Sequence, residues 1–343
     1  MSTQNSSLVE LGWKPFFSTQ VSPEEESTLR PARVMAVHRG KIAIAGAGWD
    51  QLVPPRIRDA EGEEHHPAVG DWLLIDYETL HISRILHRVS LFKRQAPGKG
   101  RRLQLIAANV DTLFIVASCN QDFNLARLER YLVLAREVGV RPIIVLTKAD
   151  LAEAPEEYSQ AARGLQPDLL VHTVNAKDPL SAAHLAVWCA KGETVALLGS
   201  SGVGKSTLIN TLRDSSSIAT QAVREADGKG RHTTTVREMH RLDQGGWLLD
   251  TPGMRELQLL DAAEGLAEIF DDIVMLAQRC RFSNCAHESE PDCAVQAELA
   301  AGKLDFARFD RWRKLTLEDS SNTGGQAART KRFRSVGHTG HNS

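Results

Sequence analysis

The order of three motifs limits what this chain can fold into. A Thr-Lys-Ala-Asp quartet (Thr147 to Asp150) comes first, a glycine loop (Gly199 to Thr207) second, and Asp-Thr-Pro-Gly (Asp250 to Gly253) third. In most P-loop folds that read guanine, the phosphate loop opens the domain and Lys-x-Asp comes last. Here the order is rotated, which predicts a circularly permuted α/β domain with a mainly parallel sheet. A sheet tolerates such rotation because strands pair by spatial neighbourhood and termini can move to surface loops.

Each motif has its own physical basis. The apolar run Thr194 to Leu198 suits a buried parallel strand. It leads into Gly199, Ser200, Ser201, Gly202, Val203, Gly204, Lys205, Ser206 and Thr207, which fit the template G-x-x-x-x-G-K-[ST] completely. Glycines let backbone N–H groups crowd around phosphate oxygens, and the helix that follows adds its dipole. Lys205 is the candidate for charge compensation at the β/γ phosphates, and Ser206 for Mg²⁺. Thr147, Lys148, Ala149 and Asp150 end another apolar strand, where Asp150 can accept two hydrogen bonds from the donor edge of guanine. Thr147 stands where the usual pattern has Asn, which removes one amide contact. Asn175 and Ala176, at the end of a third strand, form the expected second guanine-side loop.

Asp250 ends a further strand and is the candidate to hold Mg²⁺, while the Gly253 N–H can sense a γ-phosphate. Met254 follows, and a thioether cannot orient water as a Gln there would. Intrinsic hydrolysis should therefore be slow. The segment Gly230 to Thr235 reads as a switch loop. In it Thr234 is the candidate to reach Mg²⁺ and His232 either orients the attacking water or is a solvated loop histidine. A rival reading is an ABC-type ATPase, whose phosphate loop looks very similar. It requires an Asp-Glu strand end and an LSGGQ-like segment; the chain has neither and offers Leu-Leu-Asp-Thr-Pro-Gly instead.

Cys280, Cys285, His287 and Cys293 supply three thiolates and one imidazole at spacings that fit a closed, structural Cys₃His zinc site. With five cysteines, no signal peptide and no long apolar run, the sequence reads as a soluble protein of a reducing compartment. Cys119 and Cys189 read as structural thiols.

The net charge of −2 conceals a segregation of sign. Residues 1–29 carry −3, 30–105 carry +5, 106–302 carry −9 and 303–343 carry +5. Basic modules flanking an acidic centre suit contact with a phosphate backbone. The expected organisation is an irregular arm over 1–29 and an OB-type β-barrel with a basic linker over 30–104. The permuted domain is expected over 105–260, a helical zinc module over 261–317 and a basic disordered tail over 318–343. The barrel reading rests on five short strands punctuated by glycines.

Taken together, the barrel, the basic linker, the motif order, Gly-Arg-His-Thr-Thr-Thr, Leu-Leu-Asp-Thr-Pro-Gly-Met and Cys-Arg-Phe-Ser-Asn-Cys-Ala-His-Glu-Ser-Glu-Pro-Asp-Cys resemble the ribosome small-subunit-dependent GTPase A family over about 30 to 317. The resemblance implies a cytoplasmic bacterial GTPase, a likeness to monomeric enzymes with no membrane role, acting late in maturation of the 30S subunit. It also implies contacts with 16S rRNA, stimulation by the 30S particle, GTP with Mg²⁺, and one structural Zn²⁺. A passive RNA-binding scaffold with structural nucleotide is the competing class.

Overall fold

In this computed structural model the described residues are 7–57, 66–95, 103–213, 237–250, 257 and 259–323. By internal packing the chain divides into two units. One comprises Met1–Asn124 with Val138–Leu257, the other Leu125–Glu137 with Gln258–Ser343.

The first unit begins with an arm rather than a loose tail. Pro at the first helical position starts both α1 (Pro15–Ser18) and α2 (Pro23–Thr28), and Ser22 with Glu25 forms a reciprocal capping box on α2. Leu11 and Phe17 are buried, and the rings of Trp13 and Phe17 pack against Trp72. Five strands follow: β1 (Leu29–His38), β2 (Lys41–Gly46), β3 (Trp49–Val53), β4 (Trp72–Asp76) and β5 (Ile82–Ile85). β1 pairs antiparallel with both β2 and β4, β2 with β3, and β4 with β5. A parallel bridge between Ile57 and Ile82 brings the far edges together, giving the OB-type barrel. Its core is Val34, Ile42, Ile44, Leu73, Ile75 and their neighbours.

The stretch expected as a basic linker is partly ordered. β6 (Leu91–Gln95) and β7 (Leu103–Ala108) form a separate two-stranded antiparallel sheet, anchored by the buried Phe92. The parallel region comprises β8 (Thr112–Ser118), β9 (Arg141–Thr147), β10 (Val171–Thr173), β11 (Thr194–Leu198) and β13 (Trp247–Asp250). β12 (Arg237–Arg241) pairs antiparallel with β13 and, on its other edge, with β1. Barrel and α/β domain therefore share one sheet, in the order β10-β9-β8-β11-β13-β12-β1-β2-β3. α4 (Pro155–Arg163), α5 (Pro179–Ala182) and α6 (Lys205–Leu212) belong to this unit. After α5 the chain continues in 3-10 turns over Ala183–Cys189 rather than as a regular helix.

The second unit gathers α3 (Leu125–Glu137), α7 (Ala263–Ile269), α8 (Asp271–Ala277), α9 (Ala294–Ala300) and α10 (Phe306–Thr323). α3 lies between β8 and β9 in sequence, yet it packs on α7. A Cβ on Gly265 would stand 2.4 Å from the Val133 carbonyl, so only glycine permits that approach. Glu129, fully buried on α3, accepts hydrogen bonds from Arg308 and Arg311 of α10. α10 runs past the expected boundary at Leu317 because Glu318 pairs with Arg130, and Asp319 accepts the Ala262 N–H at 2.9 Å. Among the described residues no helix is long and apolar enough to cross a membrane.

Candidate nucleotide site and metal centre

From β8 the chain builds outward through β9 and β10, then returns to add β11 and β13 on the other side of β8. Strand order therefore reverses between β8 and β11. In open α/β sheets a crevice forms at such a point, outside the C-terminal strand ends. The quartet Thr147 to Asp150 follows β9, Asn175 and Ala176 follow β10, the glycine loop follows β11, and Asp250 ends β13. The permuted connectivity thus delivers all four segments to one edge of the sheet.

The glycine loop is shaped by close packing. A Cβ on Gly199 would lie 2.3 Å from the Val116 carbonyl, so the turn out of β11 admits no side chain. Gly202 and Gly204 have φ of +77° and +93°, and Gly204 caps α6. This turn leaves the first N–H groups of an eight-residue helix facing the loop. Val203 is buried and fixes the loop's centre, while Ser201 and Ser206 are exposed. Lys205 starts the helix and its ammonium donates to the carbonyls of Gly199, at 2.7 Å, and Ser200.

Thr147 takes on a task that its sequence position did not disclose. Its side chain is fully buried, and its hydroxyl donates to the Val203 carbonyl and lies 3.2 Å from that of Ala117. The quartet is thereby tied to the glycine loop through the very residue read as a lost contact. Lys148 takes a left-handed conformation, φ 57°, that turns the chain into the 3-10 turn Ala149–Leu151, where Asp150 is exposed. The Ala149 N–H donates to the Val174 carbonyl, which joins the quartet to the Asn175 loop. That loop is braced by Ser181, whose hydroxyl accepts from the Asn175 N–H at 2.9 Å. Thr211 of α6 donates to the Ala176 carbonyl at 2.6 Å. Thr147, Ser181 and Thr211 are thus the supports that motif spacing missed. Hydroxyl side chains are common enough that only a contact distinguishes them.

His232, Thr234, Gly253 and Met254 lie outside the described residues. Asp250 is placed by its backbone at the end of β13.

In the second unit Cys280, Cys285, His287 and Cys293 converge, their ligand atoms all within 4.8 Å of one another. Cys280 Sγ stands 3.7 Å from Cys293 Sγ and 3.6 Å from His287 Nδ1, which is 3.4 Å from Cys293 Sγ. A tetrahedral ion with bonds of about 2.3 Å to sulfur and about 2.1 Å to nitrogen separates its ligands by about 3.8 and 3.6 Å. The four residues fit a closed metal site. Backbone supports are arranged around it: Gln296 donates to the His287 carbonyl, and Glu290 accepts from the N–H groups of Ala286, Glu288 and Ser289. Those backbone donors hold the Glu290 carboxyl at a pKa of about 2. Cys119 and Cys189 stand apart from the cluster, and burial pushes their thiols up to about 11 and about 12, well away from reactive thiolates.

The fold and the loop set define a circularly permuted P-loop GTPase. The profile of the RsgA GTPase family matches residues 85–260. A Small ribosomal subunit biogenesis GTPase RsgA of Mesorhizobium japonicum is 48% identical over 94% of this chain and 93% of its own. RsgA 2 of Vibrio vulnificus, with the same description, is 46% identical over 98% of this chain and 95% of its own. The crystal structure of YloQ, a circularly permuted GTPase, superposes with a TM-score of 0.59 at 26% identity, covering 87% of this chain and 97% of that one. YjeQ from Thermotoga maritima shares the fold, with a TM-score of 0.61 at 23% identity over 84% of this chain and 98% of that one. The chain belongs to the RsgA GTPase family and is a GTP hydrolase.

Proposed function

We propose that this chain binds the small ribosomal subunit late in its maturation and hydrolyses GTP there, under stimulation by the subunit. The observation that carries the reading is the gathering of the base-reading and phosphate-cradling loops at one sheet edge, in a chain so close to relatives named for small-subunit biogenesis. Guanine is read by the loop Thr147 to Asp150 and by Asn175 and Ala176. Phosphates are cradled by Gly199 to Thr207 and sensed by Gly253. Lys205 leaves the carbonyls of Gly199 and Ser200 to compensate the charge of the β/γ phosphates. Ser206, Asp250 and Thr234 would hold Mg²⁺, which would supply charge neutralisation at the phosphates. His232 orients the attacking water, a role that Met254 cannot fill.

The Cys₃His cluster holds one structural Zn²⁺; no position is open for water once all four ligands bind. The partner surface is 16S rRNA, met by the basic segments 30–105 and 303–343, and the protein works as a cytoplasmic monomer. GTP turnover with and without purified 30S particles at matched salt tests the reading. A large rate increase that weakens steeply with added salt is expected. An unchanged rate, with no nucleotide-dependent co-sedimentation, removes the ribosomal assignment and leaves the GTPase.

A further inference from the structure

Arg33 lies on β1 of the barrel and is 1% exposed. Its guanidinium donates to the Leu11 carbonyl of the arm and to the Gly70 carbonyl at 3.4 Å. It donates also to the Asn109 carbonyl at 3.3 Å and to the Thr194 hydroxyl at 2.8 Å. Four separate stretches of chain converge on this one side chain. No carboxylate among the described residues comes within ion-pair reach of it; Asp111, Asp71 and Glu193 act on it only from further off. Burial lowers its pKa to about 10, which leaves it charged at neutral pH.

A buried charge without a direct partner is costly, and an apolar residue of similar volume would commonly be more stable there. What the arginine offers in return is geometry. Its planar fork can satisfy four differently placed acceptors at once, as neither Lys nor Met can. One of those attachments, and the strand that carries Arg33, bear on the nucleotide machinery. Thr194 opens β11, the strand that ends in the glycine loop. β1 itself pairs with β12 through Ala36–Glu238 and Val37–Arg237, and β12 pairs with the strand that ends at Asp250. The β1–β12 ladder is only two residue pairs long, so its register depends on how β1 is held elsewhere.

The geometry assigns to Arg33 a positioning role in GTP hydrolysis: it locks the barrel strand to the base of the phosphate-loop strand, and so fixes the place of β12 and β13 relative to the bound nucleotide. The role rests on the GTPase reading above. The loops that grip the nucleotide do not touch Arg33, so nucleotide affinity and turnover should separate when the lock is removed.

The test compares the full-length parent with Arg33→Met, Arg33→Lys and Thr194→Val. GDP affinity is measured with a fluorescent guanine nucleotide, single-turnover GTP hydrolysis without ribosomal particles, and stability by thermal melting. Arg33→Met is expected to keep GDP affinity within about twofold and to lose hydrolysis by about tenfold or more, as a misplaced group far from the chemistry does. Arg33→Lys should recover part of that loss. If Arg33→Met does not fold, Thr194→Val removes one attachment while keeping the charge and should show the same split more weakly. Parental hydrolysis in a folded Arg33→Met, or in Thr194→Val where the former does not fold, overturns the role. So does a joint fall of affinity and hydrolysis that follows the melting temperature. A parent inactive both alone and with 30S particles would instead sink the GTPase reading itself.

Discussion

At Thr147 one proton decides how two loops are held together. The hydroxyl is buried between the carbonyls of Val203 and Ala117, and it can donate to only one of them. Thr147→Val keeps the shape and removes the donor, leaving a buried carbonyl unsatisfied at a cost of about 1–3 kcal/mol. GDP affinity should fall by about tenfold, read by nucleotide titration; an unchanged affinity would reduce the hydroxyl to a packing group. Asp150, exposed at the 3-10 turn, is free to meet the donor edge of a base. Asp150→Asn should shift preference from guanine to xanthine nucleotides, because the new amide donor faces an O2 acceptor. Competition between GDP and xanthosine diphosphate measures this, and continued preference for GDP would remove Asp150 from base reading. The phosphate loop and the cysteine cluster were legible in the sequence because their chemistry fixes residue type and spacing together. Thr147 was legible only as a departure from a pattern. Its contact with Val203 spans 56 residues and has no local signature.

Among the elements, those with a full face to bury announced themselves. The strands of the barrel and of the parallel sheet lie close to where alternation and apolar runs place them. The hairpin of β6 and β7 did not, because in β6 Lys93 and Arg94 lie beside the strand's one buried residue, Phe92, and mask it. The arm was also obscure: Leu11, Trp13 and Phe17 are spaced by two and then four residues, too few to choose between strand and helix, and only the contact with Trp72 shows what Trp13 and Phe17 cover. α2 is fastened to the barrel by Glu25, which pairs with Arg84 of β5 at 2.7 Å. That arginine, and next the Ser22 N–H, lower the Glu25 carboxyl from 4.5 to about 2. A lowered pKa means stability that is present above about 4.5 and lost as the pH falls toward 2. Both side chains are partly solvated, which discounts the pair to about 1 kcal/mol. Glu25→Gln should therefore melt below the parent at pH 7, with the difference shrinking to nothing near pH 2. A gap independent of pH would assign the loss to packing.

At the scale of the molecule, sequence order and packing order part company at α3. Its place in the sequence lies inside the range 105–260 expected for the α/β domain, but Glu129, Arg130, Arg136 and Glu137 bind it to the C-terminal helices. Such pairs join residues up to 188 positions apart, beyond the reach of any periodicity. Glu129 is fully buried, and desolvation raises its pKa in spite of Arg311 and Arg308. Glu129→Ala would strand Arg311, while Arg308 keeps Asp272, and should cost about 3 kcal/mol, seen in denaturant melts of the full chain. A loss under 1 kcal/mol would show the network to be solvated. Chelator treatment, or Cys285→Ser, should reduce helical circular dichroism and yet preserve GDP binding, since the candidate base and phosphate loops belong to the other unit. Simultaneous loss of GDP binding would contradict that independence. The shared sheet bears also on how the chain is made. Ala36 pairs with Glu238, 238 − 36 = 202 positions later, and Thr112 with Val195, 195 − 112 = 83 positions later. During synthesis from the N-terminus the barrel can close through β4 and β5 almost at once, whereas one edge of β8 stays open until β11 emerges. Long-separation pairings form slowly, so the chain spends its early life as a finished barrel attached to an unfinished sheet. On that schedule the nucleotide loops meet only after the barrel is finished, while the helices of the second unit are still to be made.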